Sequence, residues 1–208
     1  MNKMYRASKY QKDDKDFIYS FIEHHPFATF VLNGERLLAT HIPILLEGEV
    51  SGWRLFSHIA NHNEQLKYLK EGAEALVIFQ GANAYISSSW YKEKDISTWD
   101  YSAVHVNAKI KLQTAEELEN SLKELVSKFE KKQDKPLYYD NIPRKMLDEH
   151  LPLITGFWLE PYKVEGIAKL HQAYPKHDIE EVTKHLLSSE DTMKNDLGQA
   201  IKKENNIK

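Results

Sequence analysis

The sequence predicts a mainly β fold with peripheral helices, read as a small β-barrel with its helices packed outside. Three observations lead there. Short apolar or alternating runs recur through most of the chain, separated by turn-forming residues. Helical periodicity is confined to a few stretches between and after those runs. The βαβ rhythm of a parallel sheet is missing, and neither GxGxxG nor GxxxxGK(S/T) occurs, so dinucleotide-binding and P-loop folds fit poorly.

The elements follow in chain order. Residues 13–24 place Phe17, Ile18, Phe21 and Ile22 on one helical face, and Pro26 closes that helix. "FATFVLNGERLLATHIPILL" reads as a hairpin with an Asn33-Gly34 turn suited to type I′. "WRLFSHI" is a further strand, and "NHNEQLKYLKEG" reads as a helix that Gly72 ends. "EALVIFQG" is a buried strand that "AYISSSW" continues, and "SAVHVNAKIKL" alternates with period two. Thr114 and Glu117 form a capping box ahead of a long helix with the stripe Ala115, Leu118, Leu122, Leu125, Val126 and Phe129. A short helix is expected over 144–150, and "LITGFWLEPYKVEGIAKL" is a last strand pair or bent strand. From residue 178 onward the chain reads as polar helix.

Composition bounds the function classes. The chain has 208 residues, 41% hydrophobic and 28% charged, which suits one globular domain with a helical appendage. No apolar run approaches a membrane span and no signal core stands at the N-terminus, so a cytoplasmic protein with no membrane partner is expected. Without cysteine there is no disulfide, thiolate metal site or cysteine nucleophile. Net charge is −3 and the lysine clusters alternate with carboxylates, the pattern of solvated faces rather than of a nucleic-acid surface.

Four constellations bear on chemistry. Ten histidines invite a metal site, but no HExxH or carboxylate-rich cluster accompanies them, so none is assigned. Ser87, Ser88 and Ser89 lack the GxSxG elbow, so no catalytic residue is assigned there. "FSHIANHNEQL" carries Ser57 and His58 into a helix start with Asn61 and Asn63, which reads either as plain capping or as an anion cradle. A cradle needs a cation or more donors nearby, from Lys67 or from Arg36, Thr40 and His41 on the hairpin. "ISSSWYKEKDISTWDY" offers the flat faces of Tyr85, Trp90, Tyr91 and Trp99 with the polar edges of Ser87, Ser89 and Thr98. That mixture suits a planar ring with a polar edge, or a barrel rim or dimer interface.

These segments resemble one family. "PFATFVLNGERLLATHIPILL", "SHIANHNEQ", "LVIFQGANAYISSSWY", "STWDYSAVHV" and "LITGFWLEPYKVEGIAKLHQ" follow in the order and spacing of the PaiB family, from about residue 4 to residue 187. The resemblance implies a six-stranded split β-barrel of the flavin-reductase and pyridoxamine-phosphate-oxidase type. It implies a homodimer with FMN in the cleft between subunits and a role as a negative transcriptional regulator. Residues 1–187 would form the FMN-binding domain with inserted helices, and residues 188–208 a helical tail. Ser57, His58, Ala60 and Asn61 would hold the phosphate, and Ala39, Thr40, His41 and Ile42 would lie along the isoalloxazine. Ser87, Ser89, Trp90, Thr98 and Trp99 would line the remaining cleft, with Lys169 and Gln172 arriving from the partner. DNA as a partner is implied by the family alone.

The sequence departs from the family pattern at four places. The arginine expected between the alanine and asparagine of the corner is absent, and "ANHN" offers His62. "SPSWY" becomes "SSSWY", "PTWNY" becomes "STWDY", and "KLSQN" becomes "KLHQA". Asp100 is therefore expected to add negative charge near the cleft and to reduce FMN affinity. Two rival functions remain on the residues: a flavin-dependent oxidoreductase, and a binder of haem or another planar ligand. Trp90, Tyr91 and Trp99 are expected at or near a two-fold interface.

Overall fold

The computed structural model describes residues 6–93 and 95–207. Helix α1 covers Lys15–His24, where Asp14 accepts the amide of Phe17 at 2.8 Å and starts the first turn. Seven strands follow: β1 Phe27–Asn33, β2 Leu37–Pro43, β3 Leu45–Glu49, β4 Gly52–Ala60, β5 Glu74–Ile86, β6 Thr98–Leu112 and β7 Ile154–Lys169. Helix α2, Ala115–Glu130, opens on the expected capping box between Thr114 and Glu117. Helices α3, Arg144–His150, α4, Lys176–Leu187, and α5, Thr192–Glu204, complete the set.

The strands form one sheet in the order β2-β1-β5-β6-β7-β4-β3. Its two ends, β2 and β3, are consecutive in the chain with only Ile44 between them. The sheet therefore curls back on itself, and the fold is a mainly β split barrel. The strand count is seven rather than six because the returning strand breaks at Pro43–Ile44. There the Ile44 amide leaves the ladder to bond the Pro26 carbonyl at 2.7 Å.

The chain divides into two compact units. One holds Ile22–Phe79 and His105–Val164, the other Met1–Phe21, Gln80–Val104 and Glu165–Lys208. The first carries the barrel core. β1 buries every second residue, so Ala28, Phe30 and Leu32 point inward. Phe30 stacks on Phe157 with ring centroids 5.0 Å apart, and Leu55, Ile59, Val77 and Leu159 are buried in the same unit. Each such enclosed side chain contributes about 2 kcal/mol. β4 pairs with β7 from Leu55↔Leu159 to Ala60↔Ile154, which fixes the corner after β4.

Two local expectations in this unit change. β1 and β2 pair up to Asn33↔Leu37, so the hairpin loop has three residues and is not a two-residue type I′ turn. Gly34 is needed there for a different reason: a Cβ would sit 2.6–2.9 Å from ring carbons of Tyr68. The helix expected after β4 is a five-residue 3-10 turn, Glu64–Tyr68. Gln65 is buried and its amide donates to the Phe30 and Leu38 carbonyls at 3.1 Å each, which pins the segment against the hairpin before a full helix can form.

In the other unit α4 and α5 close a second core of Ile86, Leu170, Val182, Leu186, Leu197 and Ile201. Its N-terminal arm runs beside β7, where the Lys12 amide donates to the Gly166 carbonyl at 3.1 Å and Gln11 bridges Ile167.

Candidate functional site

The predicted site residues fall into two groups, one in each unit. In the barrel unit, strand alternation splits the segment expected along a ring. Ala39 and His41 face solvent, while Thr40 and Ile42 are half-buried on the other face. The exposed ring of Phe27 stacks against His41 at 6.2 Å.

The corner after β4 is organised differently from an anion cradle at a helix N-terminus. Ser57 is buried, and its hydroxyl donates to the Pro43 carbonyl at 2.7 Å. The Asn61 amide donates to the Pro152 carbonyl at 2.8 Å, and its oxygen accepts from the Thr155 hydroxyl at 2.6 Å. Its backbone N–H goes to the Leu153 carbonyl at 2.8 Å. Both side chains are thus spent on scaffolding. Asn63 is the capping residue: its oxygen accepts the Gln65 amide at 2.9 Å and its NH₂ donates to the Thr40 hydroxyl at 3.0 Å. A five-residue 3-10 turn has no long dipole to offer an anion.

The electrostatics of the corner rest on few groups. His58 is half-buried, and desolvation pushes its pKa below the ordinary histidine value. It is therefore neutral at physiological pH and cannot replace the absent arginine. Arg36 is occupied by Glu64 at 2.6 Å. Lys67 and His62 remain, and with Asn61, Asn63, Glu64 and Leu66 they line an open hollow of about 480 Å³.

The second group lies in the other unit. Ser87 and Ser89 bond to each other at 2.7 Å, and Ser87 caps the short turn Ser88–Trp90. Trp90 stacks on His185 at 4.8 Å, and Tyr91 is buried in the α4/α5 core. These two rings take part in the unit's own packing. Trp99 behaves otherwise: it is 53% exposed, and its indole N–H donates to the Asn83 side chain at 3.0 Å. Tyr85, 50% exposed, lies next to it with centroids 6.4 Å apart. Lys169 donates to the Thr98 hydroxyl and to the Trp99 carbonyl, the latter at 2.7 Å. Gln172 is internal scaffolding, accepting the Leu170 amide at 2.8 Å and donating to the Ala168 carbonyl at 2.5 Å.

Asp100 does not put a bare charge near a ligand. It is fully buried, bonded to the Nδ1 of His171 at 2.7 Å, and 3.5 Å from the Lys169 ammonium. Two of the departures read separately in the sequence, Asp100 and His171, are therefore partners in space. Asn83 and this pair are the contributors that the sequence reading missed. Asn83 had one signal available, since it lies two residues before Tyr85 and so on the same strand face.

Comparison with known proteins decides the family. The family described as "Putative FMN-binding domain" matches residues 4–161. The protease synthase and sporulation protein PAI 2 of Bacillus subtilis is 30% identical over 188 residues, covering 90% of this chain and 91% of that protein. This chain belongs to the PaiB family. Its fold is also that of more distant structures. The FAD and heme binding protein from Mycobacterium smegmatis superposes with a TM-score of 0.57 at 15% identity, over 84% of this chain and 79% of that one. The flavocytochrome Anf3 from Azotobacter vinelandii gives 0.60 at 12% identity, over 84% and 77%. At such identities only the fold is shared. As a PaiB-family chain it carries an FMN-binding domain. Among the described residues no helix is long and apolar enough to cross a membrane. Among them, too, no group of three or more His, Asp or Glu stands ready for a metal.

Proposed function

We propose that this PaiB-family chain is a homodimeric FMN-binding protein with a negative regulatory role. Each residue group is assigned a flavin contact within its own unit. Lys67 replaces the absent arginine as the phosphate-side cation, with His62 lining the same hollow and Ser57 and Asn61 shaping the corner from behind. Trp99, Tyr85 and Lys169 form a ring-side surface. Flavin would supply a planar, reducible ring and an anionic tail, and the donor set suits both. The observation that carries the reading is the Trp99 indole, held rigid by Asn83, half-exposed, and tied through its carbonyl to a lysine. A large aromatic surface fixed in water is costly unless something covers it.

Direct recognition of DNA is expected to be weak and strongly salt-dependent. Lys109, Lys123, Arg36 and Arg144 are each paired with a carboxylate, so few phosphates can be neutralised together. The regulatory role would then run through flavin or protein contacts. The test is a titration of flavin-free protein with FMN, combined with light scattering. A dimer mass, saturable FMN binding and weaker binding by Trp99→Ala are expected. A monomer mass at micromolar concentration with and without FMN would overturn the dimer. Absence of FMN binding would overturn the flavin reading.

A further inference from the structure

The buried carboxylate of Asp100 has two partners that compete for it. His171 takes the short bond at 2.7 Å, while the Lys169 ammonium stays at 3.5 Å. The other contacts of Lys169 are the Thr98 hydroxyl and the Trp99 carbonyl, and its side chain is 19% exposed. Two of its three N–H groups are thus bonded within the protein, and a nearby ligand senses its charge chiefly through space.

His171 is held in place from every side. Its backbone is left-handed at φ 66°, a conformation that costs a non-glycine residue roughly 1 kcal/mol or more. The turn that imposes it is fastened by Gln172 and by Asn205, whose amide donates to the Leu170 carbonyl at 2.8 Å. The imidazole stacks on Tyr174 at 3.8 Å and lies 5.6 Å from the Tyr91 ring. Burial, together with the charge of Asp100, pushes the Tyr91 phenol well up, so Tyr91 adds no charge to the cluster. The imidazole Nε2 is buried without a hydrogen-bond partner, so only its Nδ1 side does work, and that work is directed at Asp100.

We infer that Asp100 and His171 are positioning residues that act as one unit and set how much of the Lys169 charge is felt by a bound flavin. The inference rests on the proposal that Lys169 faces flavin. By occupying Asp100, His171 keeps the carboxylate from closing fully on the ammonium. Coulomb attraction grows as separation falls, so a lone Asp100 would neutralise Lys169 more completely. A cation near the ring favours the electron-rich reduced flavin and attracts the phosphate-bearing ligand.

The test uses Asp100→Asn, Lys169→Met and their double variant. The readouts are the FMN-to-riboflavin affinity ratio and the midpoint potential of bound flavin, neither of which a merely structural role would move in a set direction. Asp100→Asn keeps an oxygen for the imidazole and removes the opposing charge. It should raise the ratio about 3- to 10-fold, the range of a partly screened charge pair, and move the potential positive. Lys169→Met should do the reverse, and in that background Asp100→Asn should lose its positive effect. Should Asp100→Asn fail to fold, His171→Asn carries the test with opposite sign, since Asp100 then leans wholly on Lys169. Asp100→Asn without effect, in a protein that Lys169→Met does alter, overturns the inference alone. Lys169→Met without effect on either readout removes Lys169 from the flavin surface and overturns that proposal and this inference together.

Discussion

Replacing Ser57 and Asn61 by alanine separates scaffold from ligand contact at the corner after β4. Asn61 loses two side-chain hydrogen bonds, at 2.8 Å to Pro152 and 2.6 Å from Thr155, while its backbone bond to Leu153 survives. A net hydrogen bond contributes about 0.5–1.5 kcal/mol, and Asn61 is exposed, so the pair amounts to about 1 kcal/mol. Ser57 is 2% exposed, and its loss leaves the Pro43 carbonyl without that donor, for about 1–2 kcal/mol. Treated as additive, the double variant should be less stable by about 2–3 kcal/mol. Its FMN-to-riboflavin ratio should not change, because the Ser57 hydroxyl is turned inward to Pro43 and the Asn61 NH₂ is anchored on Pro152. Lys67→Ala with His62→Ala should behave in the opposite way. Both residues are exposed, so stability should move by no more than about 0.5 kcal/mol. The ratio should fall about fivefold, the effect of a charge-assisted contact discounted for water. Urea unfolding followed by tryptophan fluorescence gives the first quantity, and flavin fluorescence titrations give the second. A Ser57→Ala/Asn61→Ala protein of unchanged stability whose FMN preference has collapsed would refute the scaffold assignment.

Two further outcomes are expected. Burial lowers the pKa of His58, so the unfolded chain takes up its proton first, at about pH 6.5. The protein should therefore lose stability as pH falls below that value, and His58→Gln should lessen the slope between pH 7.5 and 5.5; an identical slope in the variant removes His58 as the cause. Gly166→Ala should destabilise by about 1–3 kcal/mol, because a Cβ there overlaps the Lys12 carbonyl oxygen, and both backbones are held by hydrogen bonds. Equal urea midpoints for variant and parent would show that the N-terminal arm yields freely.

What could be read in the sequence follows the range of the forces involved. An apolar run ahead of Asn33-Gly34 placed β1, alternation placed β6, and the Thr114–Glu117 capping box placed the start of α2, because these signals lie within a few residues. The 3-10 turn after β4 was read as a helix because its fate is decided by Gln65 reaching carbonyls of the hairpin some thirty residues earlier. The corner was legible in its residue types and not in their hydrogen-bond partners. Asn61 and Ser57 carry the right donors, but their partners, Pro152 and Pro43, are near only after folding. The Asp100–His171 pair illustrates the same limit. Asp100 looked like a liability alone, and only the structure brings it to 2.7 Å from His171.

The order of the sheet also governs how the barrel can assemble. β1 with β2, and β3 with β4, are pairs whose partners are close in the chain, so their loops close at little entropic cost. The pairing of β4 with β7 is the opposite case, since Leu55 meets Leu159 across most of the barrel's sequence. Contacts of that separation are slow to form, so the β4–β7 seam is expected to close late in folding. The corner bearing Asn61 lies at the end of this seam and is stitched to Pro152, Leu153 and Thr155. The hollow lined by Asn61, His62 and Lys67 is thus absent from any intermediate that holds only the two hairpins.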